Sequence, residues 1–184
     1  MSTLLESYRR LAEYNTWMNE TLYESCSQLS DEERKRDLGA FFRSIHGTLN
    51  HLLMVDHAWL LRCTQDAERY APRDASGSAI RLASLDQILY EDFGALRSQR
   101  RVTDRLLEGW VGSLDAATLA GIIQYKSSLG PERHPLWWVL THLFNHQTHH
   151  RGQVTTLIKQ LGRDPGVTDL IRMMRDRYPE TTAQ

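Results

Sequence analysis

Apolar residues recur at helical spacing from the start of the chain: Leu4, Tyr8, Leu11, Trp17, Leu22 and Leu29 lie near one broad face. Thr3-Leu4-Leu5-Glu6 has the form of a capping box, so a first long helix is predicted from about Thr3 to Leu29. A second capping box, Ser30-Asp31-Glu32-Glu33, opens a short polar helical turn that Gly39 interrupts. The second long helix is predicted from roughly Ala40 to Thr64, with Phe42, Ile45, Leu49, Leu52, Leu53 and Leu60 on its main stripe. Val55 and Trp59 extend that stripe sideways, so this helix is expected to be buried on more than one side.

From Asp66 to Ala83 no apolar period is sustained, and Pro72 and Gly77 interrupt the stretch. A loop of about 18 residues exceeds what a tight helix–helix connection needs, and a crossover running the length of a bundle accounts for it. Ser84-Leu85-Asp86-Gln87 forms a third capping box and predicts a third long helix reaching about Glu108. Val111 to His134 is ambiguous, with a short extended segment over Thr118 to Lys126 and a turn at Gly130-Pro131. Pro135 suits the first turn of a fourth long helix, which runs to about Leu161 and stops at Gly162. After the Asp164-Pro165-Gly166 turn, Thr168 or Asp169 caps a short final helix through Arg177, ended by Pro179. The pattern predicts one all-α domain over residues 1–184: a four-helix bundle with a long crossover between the second and third helices and a short C-terminal helix.

Composition narrows the function more than the fold. A chain of 184 residues can bury a core without disulfides, and 41% hydrophobic with 24% charged residues is an ordinary globular balance. The net charge of −1 lacks the basic footprint that nucleic acid or an anionic membrane surface requires. No apolar run approaches a membrane span, and Met1-Ser2-Thr3-Leu4-Leu5-Glu6 is not ordered like a signal peptide. Cys26 and Cys63 read as free thiols in a reducing compartment, so a cytoplasmic location is expected.

Candidate chemistry concentrates in the fourth helix. Of eight histidines, His142, His146, His149 and His150 fall within nine consecutive residues. On a helical wheel His150 lies about 40–60° and His146 about 80–100° from the centre of the apolar face, while His142 and His149 lie roughly 120–160° away, toward solvent. His146 and His150 therefore border the bundle interior one turn apart, where two imidazoles can converge on one ion. A half-buried histidine is by itself usually only a hydrogen-bonded core residue, but an i, i+4 pair in so dense a cluster points to a metal. Gln147, Thr148 and His149 separate the pair, so the glutamate of H-E-x-x-H is missing and a zincin-like protease is not expected. A third ligand should come from His46, His51 or His57 on the second helix, and the wheel does not choose among them.

Motif order adds a family resemblance. Tyr14-Asn15-Thr16-Trp17-Met18-Asn19, then Phe42-Arg43-Ser44-Ile45 leading into Thr48-Leu49-Asn50-His51-Leu52-Leu53 with Trp59-Leu60-Leu61-Arg62, and finally His142-Leu143-Phe144-Asn145-His146-Gln147-Thr148-His149-His150-Arg151-Gly152-Gln153 resemble successive elements of the DinB-like (damage-inducible) family. The resemblance covers most of the chain, through Thr168-Asp169-Leu170-Ile171, and its helix-4 string is specific. It implies an up-down-down-up bundle and a divalent metal held by His51, His146 and His150, with the remaining positions open to water or substrate. Zinc is the default for three nitrogens, with nickel, iron and manganese compatible. The activity it implies is a metal-dependent enzyme, foremost a transferase using a low-molecular-weight cellular thiol. The alternatives are a metal-dependent hydrolase and a non-catalytic stress-response protein.

Further expectations attach to single residues. Asn15 and Asn19 are expected to bond between helices rather than line a pocket. Trp17 and Trp59 read as core, and Arg97, Arg100, Arg101 and Arg105 as a solvated face. Gly152 inside a helix suggests that another backbone passes close by. His149 and Arg151 are expected to be exposed or at an interface. The two-sided apolar second helix, together with Gly152, predicts a homodimer.

Overall fold

The computed structural model describes residues 3–127 and 129–179. Helix α1 spans Thr3–Ser27, and the short α2, Asp31–Lys35, starts from a complete capping box. Ser30 Oγ accepts from Glu33 N–H at 3.1 Å, while Glu33 accepts from Ser30 N–H at 2.7 Å. Helix α3 covers Ile45–Thr64, starting later than Ala40. Ser44 is its N-cap and accepts from Gly47 N–H at 3.0 Å. Ahead of it the chain folds back on itself, with Arg43 in the left-handed region at φ 67°. A Cβ at Gly47 would stand 2.3 Å from the Phe42 carbonyl oxygen, so only glycine admits this reversal.

The crossover carries one turn of helix, α4 over Ala67–Tyr70, and lasts until α5, Phe93–Ser113. The Ser84 capping pattern forms a turn instead of a helix. Gln87 Oε1 accepts from Ala83 N–H at 2.7 Å, but the next backbone groups are claimed by α3: Asn50 Oδ1 accepts from Leu89 and Tyr90 N–H at 2.9 and 3.0 Å. These long-range bonds outcompete local propensity, and Asp92 caps α5 in place of Ser84. A single turn, α6 over Ala116–Ala120, precedes the antiparallel strands β1 (Ile122–Ser127) and β2 (Gly130–Pro135), paired from Ile122↔Pro135 to Ser127↔Gly130. The extended segment predicted from Thr118 therefore starts later, and Pro131 sits inside a strand rather than in a turn. A two-stranded ribbon has only edges, which tolerate proline. Helices α7 (Leu136–Gln160) and α8 (Leu170–Arg177, capped by Asp169) complete the chain. Among the described residues no helix is long and apolar enough to cross a membrane.

Pairings give the bundle its direction. Asn15 and Asn19 meet Asp104 while Thr16 meets Glu108, so α1 and α5 run antiparallel. His51 faces His146 and Trp59 faces His142, which makes α3 and α7 antiparallel. Tyr8 bonds Thr141 and Asn15 bonds Arg151, so α1 and α7 are parallel. Asp56 pairs with Arg100 and His57 with Thr103, so α3 and α5 are parallel too. Together these registers run up, down, down, up through α1, α3, α5 and α7.

Two apolar clusters fill the interior. One gathers Leu5, Leu60, Leu107 and Leu140, the other Met18, Leu22, Leu53 and Ile158. A buried polar layer separates them at mid-bundle. Arg100 Nη2 lies 2.7 Å from Asp56 Oδ2 and 2.8 Å from Asp104 Oδ1, all three residues 0–2% exposed. Asn15 and Asn19 donate to Asp104 Oδ1 at 3.1 and 2.9 Å, and their own carbonyl oxygens accept from Arg151 Nη1. Each amide thus bridges an anion and a cation, so Asn15 and Asn19 do bond between helices. Two expectations are overturned here. Arg100 does not belong to the solvated arginine face, and Arg151 is buried rather than exposed. The interior takes Arg100 because two carboxylates pair with it, and Arg151 because two asparagine oxygens accept its N–H groups.

The two-sided apolar surface of α3 is used within the chain, against α5, α7 and β1. Among the described residues nothing lies within 4 Å of where a Cβ on Gly152 would stand, so no other segment of this chain packs closely there. Both cysteines are free, Cys26 buried and Cys63 half-buried.

Candidate metal centre

At the level of the polar layer, His51 on α3 meets His146 and His150 on α7, each offering one ring nitrogen within 4.8 Å of the others. Helical geometry brings this about: residues four apart on α7 share a face, and α3 runs antiparallel against that face. His51 Nδ1 donates to the Leu85 carbonyl at 2.7 Å, which leaves its Nε2 a lone pair aimed at His146 Nε2, 3.0 Å away. His150 Nδ1 donates to Gln153 Oε1 at 2.8 Å, and the Gln153 amide NH2 donates onward to His149 Nε2 at 3.2 Å. That network assigns the amide orientation and frees His150 Nε2. Such partners on the remote nitrogen are what hold ligating imidazoles in one tautomer.

The cluster fits a metal. Ligand nitrogens around a tetrahedral zinc at 2.0–2.1 Å stand roughly 3.3 Å from one another, within a small adjustment of this spacing. His146 Nε2 faces His51 Nε2 across 3.0 Å, two ring nitrogens turned toward each other instead of toward a carbonyl or carboxylate. A cation on the three Nε2 atoms would supply the attraction that this crowded set of imidazoles otherwise lacks. The Phe42 ring stacks on His51 at 3.7 Å between centroids and closes one side of the triad. The glycine-dependent reversal before α3 is what puts it there.

Burial holds the triad neutral. It pushes the His51 imidazole down to about 4, against the favourable Leu85 carbonyl, and His146 down to about 3, with His150 and His51 adding to the effect. His150 is also lowered, chiefly by burial. The neutral ring is the form that binds a metal. His57, outside the triad, is pushed down to about 4 by burial as well. These shifts set a pH dependence for the metal-free protein. The unfolded chain takes up protons at His51, His57 and His146 near their ordinary value of about 6.5, whereas the native chain does not until about 4 or below. Stability is therefore full above about pH 6.5 and is lost on acidification toward pH 4, by about 1.4 kcal/mol per pH unit for each proton taken up. Urea unfolding of chelator-treated protein at several pH values checks this, and a stability flat from pH 7 to pH 5 would contradict it.

The remaining histidines separate cleanly. His57 is tied on both nitrogens, Nδ1 to the Tyr70 carbonyl at 2.7 Å and Nε2 to Thr103 Oγ1 at 2.9 Å. His46 is buried but is not part of the cluster. His142 and His149 are exposed, as the wheel indicates. Trp59 is core on one side but also lines a cleft of about 480 Å3, together with His51, His146, His142 and Arg62. Reading the sequence did not assign Phe42, the Leu85 carbonyl or Gln153 a role at the site. Only Gln153, three residues beyond His150 on the same helix, carried a signal that could have found it.

The DinB family model matches residues 1–181. The chain is 25% identical to Protein DinB of Bacillus subtilis (strain 168) over 163 residues, covering 87% of this chain and 89% of that protein. The crystal structure of a DinB-like protein from Bacillus cereus ATCC 10987 superposes with a TM-score of 0.56 at 19% identity, covering 89% of this chain and 95% of the other, which shows a shared fold. A family match over nearly the whole length, on a helical fold that the DinB-like structure shares, establishes that the chain belongs to the DinB family.

Proposed function

We propose that this protein is a metal-dependent enzyme, with His51, His146 and His150 as ligands of one divalent ion, zinc by default, and that it is a transferase acting with a low-molecular-weight thiol. The observation that carries this reading is an incomplete coordination sphere facing a cavity. Among the described residues the cluster holds three histidines and no cysteine or carboxylate to close it, and two of the three line the cleft of about 480 Å3. Structural zinc sites are closed by four protein ligands, whereas catalytic sites keep a position open.

A divalent ion on three neutral ligands keeps its full double charge, which favours the thiolate over the thiol at neutral pH. The chain does the rest. Leu85 and Gln153 hold two ligand rings in register. Phe42 excludes water from one side of the triad, and Met54, Val55 and Trp59 give the cleft an apolar wall. In the transfer the thiol gives its proton to water, its sulfur forms a bond to an electrophilic carbon of the second substrate, and the departing group leaves with the electron pair of the broken bond.

Cobalt-substituted protein is expected to develop sulfur-to-metal charge-transfer absorption when a suitable cellular thiol is added. A broad thiol panel without that band, accompanied by hydrolysis of model esters or amides, would replace the transferase by a hydrolase. We also propose a homodimer, supported by the open, side-chain-free surface at the exposed Gly152 of α7. Sedimentation at micromolar concentration should give twice the 21.3 kDa chain mass, and a monomer there would remove the dimer.

A further inference from the structure

Arg62 lies on α3 beyond the triad and lines the same cleft as His51 and His146. Its guanidinium carbon sits 4.8 Å from the centroid of the Trp59 ring and 5.3 Å from that of Tyr125. Trp59 and Tyr125 themselves meet edge to face at 5.2 Å. Among the described residues, no carboxylate pairs with Arg62 and no acceptor takes its N–H groups. Other arginines of the chain are engaged: Arg10 with Glu6 and Glu13, Arg97 with Glu24, Arg100 with Asp56 and Asp104. An arginine fixed by two aromatic rings, with its fork of donors uncommitted and half-buried at a cavity wall, is pre-oriented for an anion that accepts two parallel hydrogen bonds.

Between the two ends the floor is apolar, formed by Met54, Val55 and Ala58. A second hollow of about 260 Å3, lined by Tyr125, His134 and Trp138, shares Trp59 and His142 with the first, so the space continues toward the β-hairpin. From His51 to Arg62 the helix rises roughly 16 Å. The long Arg62 side chain reaches back over the ring of Trp59, about one turn toward the triad, which shortens the span from triad to guanidinium to on the order of 10 Å.

We infer that the substrate of this site is an elongated molecule with an anionic end, a carboxylate or phosphate, held by Arg62, an apolar middle lying along Met54, Val55 and Trp59, and a reacting end at the histidine triad. The inference rests on the triad being the metal centre, and it adds the charge and shape required of the substrate and a residue that selects them.

The test uses cobalt-loaded protein and three hydroxamates followed by the cobalt spectrum. Acetohydroxamate reports the metal alone. Suberic acid monohydroxamate places a carboxylate about 10 Å from the hydroxamate, matching the span estimated from the helix rise, and its primary amide removes the charge at equal length. The acid is expected to bind at least tenfold more tightly than the amide at low salt, with the advantage shrinking as salt is added. In Arg62→Gln that preference should vanish while acetohydroxamate binds as before, and Arg62→Lys should restore part of it. Equal binding of acid and amide to the unaltered protein, or a preference surviving in Arg62→Gln, overturns the assignment of Arg62. A cobalt spectrum that acetohydroxamate does not change overturns the open metal centre instead, so the two failures are told apart.

Discussion

Replacing His150 with alanine is expected to abolish stoichiometric metal binding, while His149→Ala keeps about one ion per chain. The two residues are neighbours in sequence, but one step along a helix turns a side chain by about 100°. His150 is 8% exposed with its Nδ1 committed to Gln153, so Nε2 faces His51 and His146, whereas His149 points to solvent. His51→Ala and His146→Ala should behave like His150→Ala. His57→Ala should retain the ion, because both its nitrogens bond elsewhere, and so should His46→Ala. Metal content by mass spectrometry, with helical content checked by circular dichroism, decides it. Loss of metal in His149→Ala together with retention in His150→Ala would reverse the register of α7 and take the site with it.

Arg100→Met should destabilise the protein by about 3–5 kcal/mol, since removing one member of a buried ion network leaves the rest uncompensated. Two carboxylates, Asp56 and Asp104, would remain at most 1% exposed with their shared cation gone. Burial already pushes the Asp104 carboxyl up to about 6 despite the neighbouring guanidinium. Without Arg100 it should rise further, so the loss should be greater at neutral pH than at pH 5, where a proton can replace the missing charge. Arg101→Met, one residue on and exposed, should change stability by no more than about 0.5 kcal/mol. Equilibrium urea unfolding of both variants measures the difference. A loss below about 1 kcal/mol for Arg100→Met would mean that the network contributes little to holding the bundle together.

Apolar periodicity and capping chemistry made the four long helices, the short final helix and the central crossover readable from sequence, because these depend on residues within a turn or two of each other. The Ser30 capping box and the stop at Gly162 are of that kind. So is the difference between His149 and His150, since helix rotation is a local property. The choice of His51 over His46 and His57 was not local. Periodicity left the three open and only the family motif pointed to His51, because their difference lies in which face of α3 meets α7.

Tertiary structure decided the rest by offering partners that a linear reading does not contain. The Ser84 pattern promised a helix, but Asn50 and His51 on α3 take backbone groups of the crossover and delay α5 to Phe93. Arg100 read as part of a solvated face and Arg151 as exposed or at an interface, yet in the interior Asp56 of α3 and Asp104 pair with Arg100, and the Asn15 and Asn19 side-chain oxygens of α1 accept from Arg151. Helices α3 and α7 converge on the site, where Phe42 closes over the triad only because Gly47 lets the chain reverse ahead of α3. Element type follows from short-range sterics and hydrogen bonding, which the order of residues encodes directly. Which charge is paired, which imidazole is aimed and which cavity stays open depend on contacts between segments far apart in the chain, and these exist only once the bundle has closed.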